Sequence, residues 1–100
     1  MSSKFGDLID IKEVVVLVFF TEWHEDCKEV HVNCRDLQAN FGDNIRVIKI
    51  DVDKNAELAE ALRVITMPTV MIYKDGEQLY KLDGGQITNK QLIEIISLKL

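Results

Sequence analysis

Two cysteines, one proline, five glycines and one tryptophan are scattered through 100 residues, and each scarcity excludes something. Two cysteines cannot build the disulfide framework that staples small secreted domains, and a reducing compartment would keep both as thiols. Basic residues are also few: 12 Lys and Arg stand against 17 Asp and Glu, for a net charge of −5. No basic stripe is visible, so a nucleic-acid surface, which needs clustered cations, is not expected. No stretch reaches the roughly 20 apolar residues of a membrane helix, and Met1 to Asp7 lacks the apolar segment of a secretory signal. The expectation is a cytoplasmic, monomeric protein with no nucleic-acid or membrane partner.

What is present is an ordinary folding composition. Apolar residues make up 47% and charged residues 29%, which suits one domain spanning residues 1–100 and burying a core without staples. There are no repeats, linkers or low-complexity tracts. A short helix is expected over residues 4–11, weakened by Gly6. Val14 to Phe20 is an unbroken β-branched and aromatic run, the pattern of a central strand buried on both faces.

A helix from about 25 to 40 follows, with Cys27, Val30, Cys34, Leu37 and Phe41 spaced three and four apart and stopped by Asn40 and Gly42. Ile45 to Asp53 reads as a second strand. Asn55 is the expected cap of a short helix, Ala56 to Arg63, with Leu58, Ala59 and Leu62 inward. Thr69 to Tyr73 is a strand, Asp75-Gly76 a two-residue hairpin signal, and Gln78 to Leu82 its antiparallel partner. Thr88 and Gln91 fit a capping box for a last helix, 89 to 98, with Leu92, Ile95, Ile96 and Leu100 inward. The order predicts an α/β fold with a mixed four-stranded, at most five-stranded, sheet and helices on both faces.

The strand that ends at Phe20 hands over to a helix at Trp23-His24-Glu25-Asp26-Cys27-Lys28. Helix N-termini offer unpaired N–H groups and a partial positive charge, and chemistry in α/β sheets collects at such strand ends. At this point the chain resembles the thioredoxin family. Phe19-Phe20-Thr21-Glu22-Trp23, the window His24-Glu25-Asp26-Cys27, Ile50-Asp51-Val52-Asp53-Lys54-Asn55, Met67-Pro68-Thr69, Lys74-Asp75-Gly76-Glu77 and Gly84-Gly85 fall at the family's spacing, over about residues 11 to 100. The resemblance implies the thioredoxin fold, with the family's first edge strand short or missing and an edge left able to pair.

The family's window is Cys-x-x-Cys. Its first cysteine attacks a substrate disulfide and its second, sheltered, resolves the mixed disulfide. Here His24 occupies the attacking position and Cys27 the resolving one. Cys34 cannot replace the missing sulfur: seven helical residues place it roughly 10 Å from Cys27, beyond the ~7 Å a disulfide spans. The family's buried acid falls on Val18, its partner position on Lys49, and its helix proline on Val32.

Pro68 matches the family's cis-proline, and Trp23, Met67 and Gly84 match the rest of its peptide-binding groove. Cys27 and His24 are therefore the candidate catalytic residues, and Trp23, Met67, Pro68 and Gly84 the candidate binding residues. The expected function is thiol–disulfide chemistry with an impaired dithiol cycle, any redox role running through Cys27 as a lone thiol toward glutathione or a protein partner. One alternative is a redox-inactive module that binds extended peptides at the groove. Another is a metal-binding variant in which His24, Cys27 and His31 hold Zn²⁺ or Cu⁺. No resident cofactor is expected.

Overall fold

Val14–Phe20 forms strand β1, and its first six residues are buried. Strand side chains alternate between two faces, so a strand without polar alternation has to be covered on both. The computed structural model, which describes residue 6 and residues 9–23, 27–83 and 88–100, shows how. β1 pairs in parallel with β2 (Ile45–Asp51) and antiparallel with β3 (Thr69–Lys74), which pairs antiparallel with β4 (Glu77–Asp83). The sheet order is β2-β1-β3-β4, so β1 and β3 are central. Three α-helices are described: α1 (Cys27–Phe41), α2 (Ala56–Ala61) and α3 (Asn89–Lys99). The expected mixed four-stranded sheet is present, and among the described residues no strand precedes β1.

The alternation of β1 sorts the core into two layers. Val14, Val16 and Val18 join Val70 and Ile72 of β3 beneath Val30, Cys34 and Leu37 of α1 and Leu92 and Ile96 of α3. Val15, Leu17 and Phe19 join Met71 and Tyr73 on the other face, covered by Ile9, the short α2 and the segment through Met67. Burial of these side chains, worth roughly 1.5–3 kcal/mol each, drives the assembly.

Local signals hold where the chemistry is local. Asp75 and Gly76 both have positive φ, 53° and 79°, as a two-residue hairpin turn of the primed type requires. Gly42, with φ of 55°, ends α1. Thr88 Oγ1 accepts from Gln91 N at 3.2 Å while Gln91 Oε1 accepts from Thr88 N at 3.0 Å, completing the capping box.

Three expectations are corrected. Asn55 sits at the N-cap of α2 but makes no capping bond; its Nδ2 donates back to Asp51 O at 2.9 Å. β2 stops at Asp51 rather than Asp53, because Asp51 Oδ1 accepts from Asp53 N at 2.9 Å and folds the chain into a turn. Leu100 is exposed, past the last turn of α3, not inward. Of the helix expected over 4–11, Gly6 and Ile9 are helical and Asp10 N donates to Gly6 O; its remaining members lie outside the described residues, save Asp10 and Ile11, which are not helical.

The outer side of β2 is finished by a side chain. Val52 N donates to Phe20 O on β1 at 2.9 Å, so the even-numbered residues of β2 turn their backbone groups to β1 and the odd-numbered ones away. Of those outward groups, Ile45 O accepts from Gln38 Nε2 at 3.1 Å and Val47 N donates to Gln38 Oε1 at 3.4 Å. One primary amide thus pairs with the main chain as a peptide would.

Candidate functional site

β1 runs in the same direction as β2 and opposite to β3, so the end of β1, the end of β2 and the start of β3 meet at one end of the sheet. That end gathers Thr21–Trp23, the 52–55 turn and Met67-Pro68. Thr21 ties two of these together: its Oγ1 donates to Asp53 Oδ2 at 2.8 Å and accepts from Trp23 N at 3.4 Å. Trp23 itself is 87% exposed, far more than a groove wall needs, and its ring has no core role.

Cys27 lies in the first described turn of α1 and is 2% exposed. Its helix face makes it part of the interior, as expected for the sheltered position. It nevertheless lines a cleft of about 180 Å³ whose other walls are Thr21, Glu22, Lys28 and His31. His24, the other candidate catalytic residue, lies outside the described residues, as do Glu25, Asp26 and Gly84.

His31 is half-buried, one helical turn beyond Cys27. Its ring meets Phe20 edge-on with centroids 4.9 Å apart, and Lys49 Nζ lies 3.4 Å from its Nδ1. Lys49 stands beside Val18 in register on β2. It also borders a second cleft, of about 240 Å³, shared with His31, Cys34, Arg35 and Gln38.

The cysteines occupy different settings. Both are buried thiols. Cys34 belongs to the α1 layer of the core, and burial pushes its thiol up to about 11, against a smaller downward pull from the Lys49 charge. A thiol so reluctant to ionise is a poor nucleophile. The sequence reading of Cys34 as a core residue matches this setting.

On the other side of the site the Met67-Pro68 peptide bond is cis. Pro68 is buried and Met67 half-buried against the layer of Leu17 and Phe19. Thr69, fully buried, secures the loop: its Oγ1 donates to Thr66 O at 2.6 Å. One feature escaped the sequence reading. Ile65, two residues before Met67, is 87% exposed, which only tertiary context reveals. The placement of Cys27 beside His31 was expected from helical spacing, and the two line one cleft.

Among the described residues no group of three His, Cys, Asp or Glu side chains is placed to hold a metal, and no helix is long and apolar enough to cross a membrane.

Comparison with known proteins gives a consistent result. The family model described as Thioredoxin matches residues 1–97. The chain is similar to thioredoxin 1 of Plasmodium falciparum, 32% identical over 92% of this chain and 88% of that one. It is also similar to the chloroplastic thioredoxin Y of Oryza sativa, 29% identical over 95% of this chain, which spans 57% of the rice protein's length. Among solved structures, oxidised mitochondrial thioredoxin 3 of Saccharomyces cerevisiae superposes with a TM-score of 0.83 at 28% identity, covering 95% of this chain and 87% of that one.

Proposed function

Because the chain belongs to the thioredoxin family of thiol–disulfide oxidoreductases, we propose that it is a single-thiol member whose exchange chemistry runs through Cys27. The observation that carries this reading is that Cys27, though buried, lines a cleft with Thr21, Glu22 and His31, together with a sequence in which residue 24 is histidine. A dithiol cycle needs a second sulfur within about 7 Å of the first. Cys34, buried in the core with its thiol raised to about 11, does not serve.

In this reading the Cys27 thiolate attacks a disulfide, forming one S–S bond as the substrate's bond breaks and its other sulfur leaves as thiolate, protonated by solvent. The product is a mixed disulfide on Cys27 with glutathione or a partner protein, and a second thiol has to release it. We place an extended partner segment across Trp23, Met67-Pro68 and Gly84, and the working compartment in a reducing cytoplasm, with the chain acting as a monomer.

Incubation with oxidised glutathione tests the chemistry. A glutathione adduct on Cys27 with little insulin reduction is the expected result; rapid insulin reduction by the chain alone overturns the single-thiol reading. His24→Cys should then raise insulin reduction by restoring the two-sulfur window.

A second reading has its own support. Trp23 and Ile65, each 87% exposed, suit a module that binds an extended peptide without turnover, and a Cys27 that never forms an adduct would favour it. The metal variant would need His24, with Glu25 or Asp26 as a fourth ligand, beside Cys27 and His31; residues 24–26 lie outside the described residues, and among the described ones no group of three ligands is placed to hold a metal.

A further inference from the structure

We infer that His31, held by Lys49, is a positioning residue that favours the thiolate form of Cys27. The inference rests on the single-thiol reading above and names the group that would tune it.

A thiolate in a protein interior needs hydrogen-bond donors or positive charge close by. Among the described residues, the cleft that Cys27 lines has three ionisable neighbours: Glu22 from the strand end, and Lys28 and His31 from α1. Glu22 and Lys28 are exposed and opposite in sign, and solvent screens both. His31 is the one held in place. It sits four residues from Cys27 on one helix, which puts their Cβ atoms about 5–6 Å apart.

The ring is fixed from two sides. Phe20 meets it edge-on at 4.9 Å, and Lys49 Nζ lies 3.4 Å from Nδ1. An ammonium group has donors and no acceptor, so Lys49 gives the hydrogen bond and Nδ1 receives it; this assigns the ring hydrogen to Nε2. His31 is also a wall common to both clefts, one holding Cys27 and the other Cys34 and Lys49. With Nδ1 engaged by Lys49, Nε2–H is the donor the ring has left for the cleft it shares with Cys27. Lys49, itself exposed, acts by holding the ring in place.

The side chain next to Lys49 in register is Val18, buried and apolar. Lys49 consequently has no carboxylate there to neutralise it. Its Nζ reaches the His31 imidazole, and its charge also pulls on the Cys34 thiol.

The test is iodoacetamide alkylation over about pH 5 to 10 on the intact protein. Trypsin separates Cys27 from Cys34 at Lys28, so mass spectrometry reads each thiol by itself. His31→Leu and Lys49→Met should each raise the midpoint of the Cys27 profile by roughly one unit and slow alkylation at pH 7 about tenfold, with the alkaline plateau unchanged. Lys49→Arg should keep the wild-type midpoint.

An unmoved midpoint in both variants overturns the inference, as does a faster rate at every pH, which would mean that the helix has only loosened. A glutathione adduct that forms equally well in both variants leaves the single-thiol reading standing and removes His31 from it. A shifted midpoint without any adduct leaves the His31–Lys49 couple standing and removes the exchange reading. If Cys27 is not alkylated at any pH, both fall together.

Discussion

The two faces of the sheet are covered unequally. One carries α1 and α3, 15 and 11 residues long, and with them both cysteines, His31 and Lys49. The other has the six-residue α2, Ile9 and irregular chain through Met67. β1 supplies buried residues to both faces, so the difference lies in what covers them. The thick layer can hold reacting groups in fixed relation, because each is packed from several sides. The thin layer carries the cis Met67-Pro68 bond and leads to exposed Ile65, where a partner could touch the chain. The proposed exchange would use the rigid layer to aim its thiol and the thin layer to meet another chain.

The largest test of this contrast is a matched pair of truncations. Leu37→Ala, in the fully buried centre of the α1 layer, should cost about 3 kcal/mol in urea unfolding, and Leu58→Ala, half-buried on the inner side of α2, about 1 kcal/mol. Equal costs would show that the two layers are equally well supported.

Next in size is an alkaline effect confined to the thick layer. Below pH 9 the Cys34 thiol keeps its proton whether the chain is folded or not. Between pH 9 and about 11 the unfolded thiol loses it while the folded one retains it. Stability therefore falls as pH rises through that window, by about 3 kcal/mol at most. Cys34→Ala should flatten this part of the profile relative to wild type, and identical slopes would count against a buried, uncharged Cys34.

A smaller effect belongs to α3. Thr88→Ala removes one side of the capping box and should cost about 1 kcal/mol in thermal or urea unfolding. Smallest of all is Trp23→Ala, expected to change stability by less than about 0.5 kcal/mol while abolishing the protein's indole fluorescence and weakening capture of an extended peptide. A large loss of stability would turn Trp23 into a structural wedge.

Much of this was readable in the chain. The apolar run of Val14–Phe20, the Asp75-Gly76 turn, the Gly42 stop and the Thr88 cap are local signals, and each appears where expected. What failed depended on partners distant in sequence or on competing local bonds. Asn55 had a choice between its own helix and Asp51 O, and the turn after β2 decided it. Leu100 followed the stripe of α3 by spacing but comes after its last turn. At the site, the sheltered position of Cys27 was implied by the family resemblance, and the core role of Cys34 was legible from helical spacing. The turn of Lys49 toward His31 was not, because it joins a strand to a helix 18 residues away.

Gln38 has a wider consequence. A sheet ends safely only if its last row of amides and carbonyls is unattractive to another molecule, and here a single carboxamide answers two of them at once. Because the plug is a side chain, it can swing out without unfolding anything. A neighbour seeking to extend the sheet at Ile45 and Val47 has first to displace it, and the loss of this one amide would remove a local brake on fibre growth.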